Sequence, residues 1–78
     1  MAIRVRYFAN LRELVGHNEE SLSADNIQTV ADVLNVINKK NKLPENILQA
    51  INMDYAELKS PVKDGDEVAF FPPVTGGS

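Results

Sequence analysis

The chemistry this chain can offer is concentrated in the run Phe70-Phe71-Pro72-Pro73-Val74-Thr75-Gly76-Gly77-Ser78. Two aromatic residues with a strand-like approach run straight into two prolines. Pro72 and Pro73 fix their own φ angles, so the chain leaves the strand stiff and extended. Gly76 and Gly77 then remove every Cβ from the segment. A segment of this shape can thread a narrow channel and present a backbone carbonyl carbon to another protein's active site. A Gly-Gly stretch by itself is also what an ordinary frayed end looks like. The apolar strand leading directly into the stiff segment is what sets this one apart.

The rest of the chain offers little competing chemistry. It has no cysteine, which excludes a thiol nucleophile, a persulfide, a disulfide and a zinc site of the usual type. His17 is the single histidine and lies in Gly16-His17-Asn18-Glu19, where it reads as a solvated loop residue without an obvious partner. No Gly-rich phosphate loop and no metal-ligand cluster are visible. Catalysis by the chain's own side chains is therefore not expected. If the protein takes part in a reaction, the chemistry is expected to be performed by another protein's groups.

Composition narrows the partners. A net charge of −3, with basic residues spread along the chain, argues against nucleic acid. No stretch approaches membrane-spanning length and no signal-peptide pattern opens the sequence, so a cytoplasmic location is expected. At 78 residues a single core must be well packed to hold without a staple.

The elements that position the tail follow from periodicity. Ile3-Arg4-Val5-Arg6-Tyr7-Phe8 alternates, putting Ile3, Val5 and Tyr7 on one strand face and Arg4, Arg6 and Phe8 on the other. Asn10 to Val15 is helical in pattern, with Leu11, Leu14 and Val15 on one side and Gly16 as a stop. Glu20 to Ala24 reads as a second strand anchored by Leu22. Thr29 is a candidate N-cap with Asp32 three residues on, ahead of Val30, Val33, Leu34 and Ile37 at helical spacing. Lys39 and Lys40 suit the last turn of that helix. Ile47 to Met53 reads as a third strand in one of two registers: Leu48, Ala50 and Asn52 inward, or Ile47, Gln49, Ile51 and Met53. Asn52 to Leu58 carries a turn with an exposed Tyr55. Asp64-Gly65-Asp66 is a turn signal before a last strand, Glu67 to Phe71. The expected fold class is α+β: a roll in which one long helix packs on one face of a mixed sheet.

The run from Gly65 to Gly77, with Tyr7-Phe8-Ala9-Asn10-Leu11-Arg12-Glu13-Leu14-Val15-Gly16 near the start, resembles the small subunit of molybdopterin synthase, the MoaD family. The resemblance spans essentially the whole chain. It implies a β-grasp, or ubiquitin-like, domain over residues 1–73 and a flexible Gly-Gly tail over residues 74–78. It also implies a sulfur carrier. An E1-like adenylating partner of the MoeB type uses ATP and magnesium to convert the terminal glycine carboxylate into an acyl-adenylate, and the carrier itself binds no cofactor. Sulfur then replaces the adenylate to give a thiocarboxylate. The loaded carrier docks on a large subunit of the MoaE type, in a heterotetramer of two small and two large subunits, and donates sulfur to cyclic pyranopterin monophosphate. Carried over residue by residue, Gly77 is the reacting position, Gly76 its slim neighbour, and Val74 and Thr75 the channel residues. Ser78 departs from the family pattern, which stops at the second glycine; the competent form is expected to end at Gly77.

Three other readings stay open. A ThiS-type carrier for thiazole synthesis shares the Gly-Gly ending, although Phe70-Phe71-Pro72-Pro73 favours the molybdopterin branch by resemblance. A ubiquitin-like modifier would link its activated end to a lysine. A plain interaction module would leave the tail unmodified. For partner binding the candidates are Phe8, Tyr55, Phe71, Pro72 and Pro73. The three rings are expected to adjoin as a docking patch, rimmed by Arg4 and Arg6, because first and last strands neighbour each other in this fold. Scattered surface aromatics are the ordinary alternative. Arg12 and Glu13 read as helix surface.

Overall fold

The computed structural model describes residues 2–44 and 46–73. The expected tail, residues 74–78, lies outside them. Strand β1 (Ala2–Tyr7) leads into helix α1 (Asn10–Val15) and strand β2 (Glu19–Ser23); helix α2 (Val30–Asn38) follows, then β3 (Leu48–Ile51), β4 (Asp54–Ala56) and β5 (Glu67–Phe71). They form a five-stranded mixed sheet in the order β2-β1-β5-β3-β4. β1 and β5 run parallel at its centre, with Val5 opposite Val68 and Tyr7 opposite Phe70. The other pairings are antiparallel.

Strand parity decides what is buried. Ile3, Val5 and Tyr7 of β1 and Val68 and Phe70 of β5 meet Val30, Val33 and Ile37 of α2 in one core. Leu34 packs against its edge. The α2 start is the reciprocal capping box expected from Thr29 and Asp32: the Asp32 amide donates to Thr29 Oγ1 at 3.4 Å, and the Thr29 amide donates to Asp32 Oδ2 at 3.1 Å. The Gln28 and Thr29 amides together hold the Asp32 carboxyl below its ordinary pKa. Gly16 caps α1 at φ 96°, its amide donating to the Arg12 carbonyl at 2.8 Å.

Several expectations change. Leu14 faces solvent rather than the core; Leu11 and Val15, one helical turn apart, form the buried seam of the six-residue α1. Lys39 and Lys40 fall just past α2, which ends at Asn38 with Lys39 as C-cap. The third strand is shorter, because Asn52 and Met53 form a hairpin turn with both φ positive, 50° and 75°. The chain then returns as β4, so Tyr55 lies on a strand and not in a turn. Of the two β3 registers, Gln49 and Ile51 share the face of Phe70 and Val68, which selects the one with Ile47 inward. Met53 does not belong to it. Leu48 and Ala50 point to the opposite face with Phe71 and Ala69.

Ala9 stands out between β1 and α1. Its φ of 54° and ψ of −137° occupy a region that favours glycine. The Leu11 amide donates to the Phe8 carbonyl at 3.1 Å, closing a turn of type II′ with alanine in its first central position. Ala9→Gly is expected to stabilise the domain. Strain of about 1–3 kcal/mol is relieved, against about 0.4–1 kcal/mol from the looser unfolded chain. A rise in Tm of a few degrees should appear in thermal unfolding; an unchanged or lower Tm would mean the turn is unstrained.

Candidate functional site

The sheet face away from the helices carries the aromatic residues singled out in the sequence. Phe8 follows β1 with parity opposite to Tyr7, and its amide donates to the Phe70 carbonyl at 3.1 Å. That bond extends the β1–β5 pairing by one residue and sets Phe8 beside Phe71. Their ring centroids are 6.4 Å apart at 76°, an edge-to-face pair. On its other side Phe71 meets Tyr55, centroid to centroid 5.7 Å. Tyr55 reaches this place because β4 pairs it with Ala50, which in turn pairs with Ala69.

Those two alanines shape the surface. A methyl group at Ala50 and another at Ala69 leave the middle of the face low, while Phe8, Phe71, Tyr55 and Met53 stand around it. The result is a hollow of about 250 Å³ lined also by Arg6 and Glu67. Tyr55 is 77% exposed and Phe8 41% exposed; Phe71 is half-buried. Arg6 closes one side. Its guanidinium carbon sits 5.3 Å from the Phe8 ring centroid, and its Nη1 lies 3.8 Å from Glu67 Oε2. Arg4 does not share this rim; it lines a separate polar cleft with Ala2, Ser21 and Glu67. Pro72 and Pro73, half-buried, continue from Phe71 at the end of β5. Val74, Thr75, Gly76, Gly77 and Ser78 lie outside the described residues.

Elsewhere the polar groups serve the fold. The Tyr7 hydroxyl donates to the Glu20 carboxylate, and burial first, then that contact, pushes its pKa far above the ordinary tyrosine value. His17 does have a partner, contrary to expectation. Its Nε2 lies 3.4 Å from Glu20 Oε2, and its ring stands edge-on to Tyr7 at 5.9 Å. The β1–β2 pairing places Glu20 there, which the sequence around His17 does not reveal. Arg12 and Glu13 lie on exposed helix surface as expected, Arg12 Nε donating to the Ala9 carbonyl at 3.5 Å.

The residues of the hollow that sequence reasoning missed are Ala50, Ala69, Glu67 and Met53. Ala69 and Glu67 were within reach of strand parity. Met53 needed the hairpin, whose sequence signal is weak: asparagine stands in the first turn position, but methionine replaces the usual glycine in the second.

A family model for the ThiS family matches residues 5–77. This chain belongs to the ThiS family. The molybdopterin synthase sulfur carrier subunit of Escherichia coli is 38% identical, the match covering 96% of this chain and 99% of that one. Among solved structures, the small archaeal modifier protein 1 of Methanosarcina acetivorans superposes with a TM-score of 0.81 at 31% identity, covering 97% of this chain and 96% of the other. Subunit 1 in the protein–protein complex of subunits 1 and 2 of the molybdopterin-converting factor of Helicobacter pylori superposes at 0.70 with 26% identity, covering 99% and 100%. The ubiquitin-like sheet-and-helix architecture expected from the sequence is thus the fold of the family. Among the described residues no helix is long and apolar enough to cross a membrane.

Proposed function

We propose that this protein is the sulfur carrier subunit of a molybdopterin synthase, with Gly77 as the position that carries sulfur. The full-length likeness to the Escherichia coli sulfur carrier subunit is the observation that carries the reading. The position of β5 supports it: this strand, which leads into Pro72-Pro73, is hydrogen-bonded on both sides, so the chain leaves for its C-terminal segment from the centre of the sheet.

A carboxylate is a poor electrophile until one of its oxygens becomes a good leaving group. An E1-like partner of the MoeB type supplies that group. A carboxylate oxygen of Gly77 attacks the α-phosphorus of ATP, with magnesium as the partner's metal, and pyrophosphate leaves. Hydrosulfide delivered by the sulfur donor then attacks the acyl carbon, AMP departs with the bonding pair, and loss of the S–H proton leaves a thiocarboxylate. In the cytoplasm the loaded carrier docks on a MoaE-type large subunit, two of each in the assembly. Sulfur passes there to cyclic pyranopterin monophosphate. On this reading Phe8, Tyr55, Phe71, Pro72 and Pro73 form the docking ground. Gly76 keeps the reacting end thin, and Val74 and Thr75 line up in the channel.

The test is activation of two purified forms, one ending at Gly77 and one in which Ser78 follows. Each is incubated with the adenylating partner, ATP, magnesium and a sulfur donor, then analysed by intact mass. The Gly77 form is expected to gain the mass change of oxygen replaced by sulfur. The Ser78 form is expected to stay unloaded: its Gly77 carbonyl is an amide, and its own carboxylate is displaced by one residue, about 3.3 Å. Misplacement of this order is costly in a positioned site. Equal loading of an uncleaved Ser78 end would reject the assignment of Gly77. The fold shared with an archaeal modifier protein makes lysine-linked adducts the informative alternative: their formation without a thiocarboxylate would mean a modifier instead.

A further inference from the structure

Met53 has no role in the core. It is 90% exposed, the largest exposure among the big apolar side chains of the described residues. It also sits where a side chain is least welcome, at φ 75° in the second position of a two-residue hairpin turn. Glycine would adopt that conformation without strain. The fold therefore keeps a large thioether, at a backbone cost, that it does not use for packing. The same side chain lines the hollow floored by Ala50 and Ala69, facing the aromatic cluster of Phe8, Phe71 and Tyr55.

We infer that Met53 is a docking residue of the carrier, forming the adaptable lip of a hollow that receives an apolar side chain of the large subunit. The inference rests on the sulfur-carrier reading. The occupant follows from continuity. Phe71 is joined through Pro72 and Pro73 to the segment the large subunit must take up, so a subunit that takes that segment covers the ground beside Phe71. The hollow begins there. Its floor and most of its wall are hydrocarbon, and its one charged wall is already neutralised by the Arg6–Glu67 pair. Such a site selects an apolar group over a charged one. A methionine at the lip can repack around it, since its unbranched thioether has several rotatable bonds and a polarisable sulfur.

The experiment uses the full chain and its large subunit, with calorimetric binding and thermal unfolding measured on wild type, Met53→Gly and Met53→Leu. Met53→Gly is expected to unfold at a temperature equal to or a few degrees above wild type, yet to bind about fivefold more weakly or worse. Met53→Leu, which restores apolar bulk, is expected to bind within about twofold of wild type. Opposite signs in stability and affinity are something a purely structural residue does not produce. Met53→Gly binding as tightly as wild type would overturn the inference alone. Weaker binding accompanied by a lower unfolding temperature would also overturn it, by assigning the side chain to the fold. A wild-type chain that does not bind the large subunit would overturn the inference together with the carrier reading.

Discussion

Deleting Gly76 and Gly77, with whatever follows them, should leave a folded domain that transfers no sulfur. The buried cluster runs from Ile3 to Phe70, so nothing in the described core depends on the deleted residues. The truncated chain is expected to unfold cooperatively with its Tm nearly unchanged. Its new carboxylate, on Thr75, falls short of the Gly77 position by two residues, about 7 Å of extended chain. A misplacement of about 1 Å can already cost about a hundredfold in rate. The shortened end also carries a β-branched side chain where the intact tail has none. Thiocarboxylate formation read by intact mass and sulfur transfer read with the large subunit should both disappear. A folded truncation that still delivers sulfur would end the carrier hypothesis.

Phe71→Ala should weaken binding to the large subunit by about 2 kcal/mol or more, roughly thirtyfold in Kd. Phe71 stands between Phe8 and Tyr55, so its removal takes out the middle of the aromatic row. The cost to folding should be smaller, about 1 kcal/mol, because the ring is half-buried and lies on the face away from the helices. Phe70 provides the contrast. It is fully buried against Tyr7, and its truncation belongs to the class that costs about 3–5 kcal/mol in stability. Calorimetry and thermal unfolding on Phe71→Ala separate the two roles. A variant that loses stability but binds normally would place Phe71 with the core and dissolve the patch.

Parity and capping made much of this fold legible. The alternation of Ile3 to Tyr7 and of Glu67 to Phe71 assigns both central strands their faces, and with them Phe8 and Phe71. Thr29 and Asp32 mark the start of α2 because a capping box is a local event, complete within four residues. What stayed hidden is non-local or chemically atypical. Ile27, Leu43 and Val62 enter the core from segments without regular periodicity, placed by tertiary bonds such as the Val62 amide to the Gln28 carbonyl. β4 is three residues long, too short for alternation to register. Its hairpin lacks the glycine that would announce it. The hollow was half visible: its rings follow from strand faces, whereas its depth depends on two alanines meeting across β3 and β5. The glycine tail was read from the sequence alone.

The central position of β5 has a mechanical consequence. On the proposed carrier role, a large subunit that drew in the segment after Pro73 would load the chain through β5. That strand is bonded to parallel β1 on one side and antiparallel β3 on the other, with four residue pairs in each ladder. A load along the strand meets both ladders in shear, so the bonds must fail together and not one by one from an end. An edge strand carrying the same tail would have a single ladder to resist with. In that proposed role, a pull on the C-terminal segment would therefore leave the sheet that anchors it in register.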